Sequence, residues 1–389
     1  MMADLFPEVD LSQEYENEDD SFDFEINLLD GVLVTDTDWT AETILSQLKK
    51  GNILLNPKFQ RRDAWNVERK SRFIESLLLG IPIPQLVLAE LPDQRGKYVV
   101  IDGKQRLLAL QKFSDTQGGL KLSGLTIRTD LNGKTWSNIQ AGQGKFDDCS
   151  AFENAAIRTT LIKGYKSEKA LYVIFHRLNS GSVPLSPQEL RHVLHPGPFI
   201  DFAFEFSENS ETLVSLLGRD GKPDFRMRDV EMLIRFFGFS HFLPSYQGDL
   251  KEFLDLTVKN LNNSWSSDEF NIRALAVECE NSIKATIDIF GENAFSKSTN
   301  KGFEKRFNRA VFDIMTFYFK HDSIRIAAIN NKEAVQNRFI ELCNEPQFRK
   351  SLESTTKSFE ATMIRLEWWG SALQGIVDVS VPNPLLSQL

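Results

Sequence analysis

The sequence predicts an α+β domain followed by an all-helical one, and three observations carry that reading. Residues 85–91 and 97–101 are rich in β-branched and apolar residues and flank the turn signal Pro92-Asp-Gln-Arg-Gly96, the pattern of a hairpin. From Gly197 onward only helical periodicity is found, around 198–206, 211–217, 227–238, 249–260, 268–290, 303–319, 332–343 and 350–374. A chain of 389 residues is long for one domain and large enough for two cores. The division expected is a leader over 1–37, an α+β domain over 38–195 and a helical domain over 196–389.

The leader is expected because of its charge. Residues 1–42 hold fourteen Asp or Glu and no Lys or Arg. The net charge of −9 therefore hides a body with 45 basic against 40 acidic residues. Such a leader reads either as a disordered solubilising tail or as a competitor for a basic surface on the body. No apolar run approaches the ~20 residues of a membrane span, and the start Met1-Met-Ala-Asp lacks the basic end of a signal peptide. Cys149, Cys279 and Cys343 are too far apart in sequence to suggest a zinc site or a disulfide framework. A cytoplasmic protein without membrane association is expected.

In chain order, a short strand is expected near Gly31-Val-Leu-Val, then a helix capped by Thr37 or Thr40 and ending before Gly51. Residues 52–55 read as a strand, turned by Asn56-Pro57. Gln60, Arg61, Arg62 and Trp65 fall on an irregular segment, with Trp65 read as core. Asn66 is the expected cap of a helix over 67–79 that Gly80 stops. Ile81-Pro-Ile-Pro84 must run extended into the hairpin. Between 116 and 150 the chain reads as loops around a short strand near 125–128, and 157–162 reads as a strand. A helix from Ser167 should end near Asn179-Ser-Gly181, and Ser186-Pro-Gln-Glu189 is a capping-box pattern with Pro at the first helical position. Arg191, on the helix that follows, faces either the central motif or Glu189.

The motif at the centre of this plan is Tyr98-Val-Val-Ile-Asp-Gly-Lys-Gln-Arg106. It predicts a strand, a turn at Asp102-Gly103, and a helix whose apolar positions are Leu107, Leu108, Leu110 and Phe113. Gly103 allows a backbone geometry or a close approach that a side chain would block. The turn aims backbone N–H groups and a positive helix end at one spot, beside the cations Lys104 and Arg106. That suits a phosphate, with Asp102 and Gln105 free to hold a water or metal. The plainer alternative is a capped helix whose Arg106 pairs internally with Asp102. A second basic stretch, Lys301-Gly-Phe-Glu-Lys-Arg-Phe-Asn-Arg309, reads as an amphipathic helix with a solvated basic face, or as a nucleic-acid surface.

Taken with 56–65, 70–84 and 174–191, the motif resembles the N-terminal domain of GmrSD-type restriction endonucleases, in the ParB/sulfiredoxin-like superfamily. The resemblance is strong over 38–195. The family usually has Asp-Gly-Gln-Gln-Arg, so Lys104 departs from it and Asp102, Gln105 and Arg106 keep register. It implies a small mixed sheet in the first domain and a nucleoside-triphosphate site. By that resemblance Asp102, Gln105 and Arg106 are catalytic, and Gln60, Arg61, Gly103, Lys104, Arg106, Arg177 and Asn179 bind the phosphates. Asp102 is the expected Mg²⁺ contact. The chemistry would place Arg106 on the transferred phosphoryl group and Gln105 on the attacking water.

Other active-site types are absent from the sequence: no P-loop, no Gly-x-Gly-x-x-Gly, no nucleophile elbow. His176, His192 and His195 read as structural. Beyond residue 196 only His241 and His321 remain, so the histidine-metal nuclease of longer relatives is not expected here. The functional expectation is a nucleotide-binding and NTP-hydrolysing protein of prokaryotic restriction or anti-phage defence. The alternatives are a non-catalytic, nucleotide-switched DNA module and metal-dependent nicking by the motif domain. DNA, a separate nuclease or effector, and an oligomer are compatible partners.

Overall fold

The computed structural model describes residues 30–55, 65–92, 94–166, 170–171, 174, 186–218, 221–353 and 358–384. The protein is α+β, and it divides into two compact units whose boundary in sequence falls between Leu194 and His195.

The first unit is built on a five-stranded mixed sheet. Its strands are β1 (Leu33–Thr40), β2 (Ile53–Leu54), β3 (Leu86–Glu90), β4 (Tyr98–Asp102) and β5 (Ala156–Lys163), in the order β1-β5-β3-β4-β2. β3 and β4 form the expected antiparallel hairpin, with a register shift between Val87 and Leu88. β5 runs parallel to β3 and antiparallel to β1, and β2 runs parallel to β4. Alternate residues of the hairpin go to opposite cores, as a period of two requires. Leu86, Leu88 and Val100 join one core, and Val87, Ala89, Val99 and Ile101 join the other. A sheet covered on both faces explains why these strands read as continuous apolar runs.

Helices α1 (Ala41–Lys49), α2 (Val67–Leu78) and α3 (Lys104–Ser114) supply the first core with Ile44, Ile74, Leu77, Leu107 and Leu110. The α1 cap is Thr40, whose hydroxyl accepts from the Thr43 N–H at 3.1 Å. Asn66 caps α2 through the Arg69 N–H at 2.9 Å. β1 extends beyond the short strand expected, because Asp36 and Asp38 meet Arg158 on β5 and Asp36 also accepts from Thr160 at 2.7 Å. The strand begins inside the segment assigned to the leader.

Residues 125–128 form no strand, contrary to expectation. Glu75 of α2 takes the place of a strand partner, accepting from the N–H groups of Ile127 and Arg128 at 2.9 and 2.6 Å. Glu75 is thus buried and committed to this loop. Arg128 then holds the loop through Asp148 at 2.6 and 2.8 Å, the first residue of α4 (Asp148–Glu153). That bond is the main cause holding the Asp148 carboxyl below its usual range. Trp136, Phe113 and Phe152 close the loop region, with ring centroids 4.8 to 5.6 Å apart. α5 (Pro187–Leu194) starts with the expected capping box: Ser186 N–H to Glu189 at 2.7 Å and Glu189 N–H to Ser186 at 3.0 Å.

The second unit is largely helical. It contains α6 (Pro198–Asn209), α7 (Glu211–Leu217), α8 (Arg228–His241), α9 (Leu250–Phe290), α10 (Arg309–Phe319), α11 (Asp322–Asn330), α12 (Lys332–Asn344), α13 (Pro346–Glu353) and α14 (Phe359–Gln374). The two helices expected over 249–260 and 268–290 are one, interrupted by the non-helical backbone of Asp268. The stretch 303–319 is helical only from Arg309, because Asn308 caps there through the Val311 N–H at 3.0 Å. Before it lies a small hairpin, β6 (Ser298–Thr299) and β7 (Gly302–Phe303), turned by Gly302 at φ +103°. The basic stretch 301–309 is therefore hairpin and loop, and the amphipathic-helix reading is corrected. α11 escaped the periodicity because only Ile324 and Ala328 on it are buried. No helix among the described residues is long and apolar enough to cross a membrane.

Candidate phosphate site at the 102–106 turn

Strand β4 ends at Asp102 and α3 begins at Lys104, leaving Gly103 as the hinge. Gly103 sits in the left-handed region at φ +100°, ψ 11°. A Cβ there would lie 2.2 Å from Leu86 Cδ2 and 3.3 Å from Arg106 Nε. Both backbone angle and available space therefore require glycine. Gly103 offers no capping side chain, so α3 starts without the usual oxygen over its first N–H groups.

Asp102 answers part of that need. Its Oδ1 accepts from the Gly103 N–H at 2.7 Å, and its Oδ2 accepts from Arg106 Nη2 at 2.8 Å. The same Nη2 donates to the Gln85 carbonyl at 2.9 Å, tying the start of α3 to the entry of β3. Arg106 is 5% exposed, and its Nε has no acceptor among the described residues. Lys104 Nζ is bonded to Glu189 Oε1 at the start of α5. Gln105 Oε1 accepts from the Trp65 N–H at 3.3 Å, and Lys70 Nζ donates to the Trp65 carbonyl at 2.8 Å. Trp65 packs against Phe73 and the first core, as expected of it.

The structure thus brings Asp102, Gly103, Lys104, Gln105 and Arg106 together. Gln60, Arg61, Arg177, Asn179 and His176 lie outside the described residues, as does most of the leader. Lys104, Gln105 and Arg106 are buried and Asp102 partly so, with Glu189 bonded to Lys104 and the Trp65 N–H to Gln105. Arg106 is paired with Asp102, the plainer of the two sequence readings. Arg191 donates to Gln188 at 2.7 Å. His192 and His195 are buried, and His195 Nε2 lies 3.8 Å from Asp255.

Glu189 is the residue that sequence reasoning placed only as a helix cap. Its signal was Lys104: a buried ammonium needs a carboxylate, and Lys104 stands where the family pattern has a neutral Gln. As to a metal, the described residues contain no group of three or more His, Cys, Asp or Glu able to hold one. Asp102 alone fits Mg²⁺ only in the manner of sites completed by phosphate oxygens and water.

Residues 41–195 match the family model of the GmrSD restriction endonuclease, N-terminal domain. A comparison with curated proteins found no match for the chain. The matched span opens on the first residue of α1, includes the whole 102–106 turn and closes just after α5. By this match residues 41–195 are similar to the GmrSD N-terminal domain, which supports a restriction-type protein.

Proposed function

We propose that this domain binds a nucleoside triphosphate at the start of α3 and hydrolyses it in the service of defence against foreign DNA. The observation that carries the reading is the Arg106 guanidinium. It is buried against a glycine-capped helix N-terminus, and its Nε–H has no acceptor among the described residues. A buried donor left without a partner costs about 1–3 kcal/mol. A phosphate oxygen is the acceptor such a donor lacks, and a helix N-terminus favours its charge.

In this reading Arg106 neutralises charge on the transferred phosphoryl group, and Gln105 orients the attacking water. Asp102 contacts Mg²⁺, which would supply further neutralisation. Lys104 and the Gly103 backbone hold phosphate oxygens, with Gln60, Arg61, Arg177 and Asn179 assigned to the same site by family resemblance. A second reading, a switch that binds without turnover, draws on one contact. Glu189 both caps α5 and holds Lys104, so a phosphate that takes Lys104 removes a charge partner from the α5 end.

The test is thermal shift with the four common nucleoside triphosphates and Mg²⁺, followed by phosphate release. Wild type should melt higher with at least one triphosphate, since binding to the native state stabilises it. Gln105→Ala should keep that shift and lose most phosphate release. Arg106→Lys should lose most of the shift, because an ammonium cannot reproduce the forked contact. A shift without release in wild type selects the switch. No shift with any triphosphate sinks both readings.

A further inference from the structure

The long helix α9 carries apolar side chains that the fold leaves to water. Phe270 is 83% exposed and Val277 46%, and Ala274 between them is exposed as well. The three stand at i, i+4 and i+7, on one stripe of the helix. The stripe continues through Asn263 and Ser267 on one side and Asn281 and Lys284 on the other, its spacing alternating three and four. That is the seam of a coiled coil, about 32 Å long at 1.5 Å per residue, apolar in the middle and polar at both ends.

Both flanks of the seam are held from within the unit. On one flank Arg273 lies over the rings of Phe202 and Trp265, at 4.7 and 5.3 Å, and bonds Glu269 at 2.7 Å. Farther along that flank Glu280 accepts from the Ser210 hydroxyl at the start of α7. On the other flank Glu278 meets Arg325 of α11 at 2.7 Å. The seam is thus presented by a helix fixed on either side, with no rearrangement needed to expose it.

We propose that this seam pairs with the same seam of a second copy of the chain, the two α9 helices running antiparallel. Charge selects both the partner and the direction. Arg273 and Glu280 lie seven residues apart on one flank, and antiparallel pairing lays that flank against its own copy. Arg273 of each chain then reaches Glu280 of the other, twice about one two-fold axis. A parallel pair would set Arg273 on Glu278 instead, and Glu278 is already held by Arg325. Glu280 has a neutral hydroxyl as its partner, and the exposed pair of Arg273 with Glu269 is of the kind that contributes little. The same register sets Ala274 against Val277 of the second copy in two central layers, where the small side chain lets the helices approach. Phe270 covers Asn281 of the second copy. The proposal rests on the helical unit alone and is independent of the nucleotide reading.

The experiment is sedimentation velocity of the full chain from micromolar to sub-millimolar concentration. Wild type should pass from monomer to dimer within that range. Phe270→Glu should raise the dissociation constant at least about tenfold, and Arg273→Glu or Glu280→Arg alone about tenfold. Arg273→Glu combined with Glu280→Arg should return it to within about threefold of wild type, because the swap restores both pairs. Exposed Lys332→Gln on α12 should dimerise as wild type does. Melting temperatures check that each variant is folded. The proposal is overturned if wild type stays monomeric throughout, or if Phe270→Glu dimerises as tightly as wild type. It is also overturned if the combined variant is no tighter than the single ones.

Discussion

At the 102–106 turn, among the described residues, each cation meets a different carboxylate: Lys104 meets Glu189, and Arg106 meets Asp102. In the helical unit one carboxylate serves two cations. Asp313 on α10 accepts from Arg235 Nε at 3.0 Å and from Arg365 Nη2 at 3.3 Å, and all three are buried. Burial opposes the charge of both arginines. For Arg235 the Asp313 carboxylate outweighs it and the pKa rises; for Arg365 burial wins and the pKa falls. The contrast teaches how to read a charged motif. One-to-one pairing holds cations in place until another anion arrives, whereas shared pairing makes a single carboxylate indispensable.

The largest expected effect follows from that sharing. Asp313→Asn removes the carboxylate that two buried guanidinium groups share and should cost about 3–5 kcal/mol in chemical denaturation. A loss below about 1 kcal/mol, the size of an ordinary surface pair, would erase the contrast.

Arg106→Ala comes next. A cation in the first turn of a helix is disfavoured by the dipole, and on that ground its removal should cost little. The bonds to Asp102 and the Gln85 carbonyl reverse the expectation. Denaturation without nucleotide should show a loss of about 1–3 kcal/mol. An unchanged midpoint would mean that the bonds of Arg106 to Asp102 and to the Gln85 carbonyl add nothing to stability.

Cation excess should also appear in acid. Burial, then Lys320 and Arg325, push the His321 pKa from 6.5 down to about 4. As pH falls below 6.5 the unfolded chain takes up this proton first, and the folded protein takes it only near 4. Stability should therefore fall across that window. His321→Gln should flatten this part of the pH profile, and an identical slope in the variant would refute the assignment.

The smallest effect sharpens the comparison from the other side. Lys305→Gln with Arg306→Gln removes exposed charge, so stability should change by no more than about 0.5 kcal/mol. A larger loss in denaturation would make these residues part of the fold and not of a solvated surface.

Much was legible in the sequence because it rests on local rules. The hairpin, the caps at Thr40, Asn66 and Ser186, the glycine hinge at 103 and the helical second half follow from periodicity and from which residues tolerate which backbone. The 102–106 turn was found for the same reason, since its residues are neighbours in the chain. What the chain decides only on folding are contacts across long separations. Glu189 reaching Lys104, Glu75 replacing a strand partner for 127–128, and Asp313 joining Arg235 to Arg365 bring together residues 52 to 130 positions apart. The basic stretch 301–309 shows the same limit. Its sequence fits a helix face as well as a loop, and the Asn308 cap together with the Gly302 turn decided for the loop. Sequence rules report what each residue prefers locally. Which buried charge meets which is set by packing, because an ion removed from water must find its partner wherever the fold brings one.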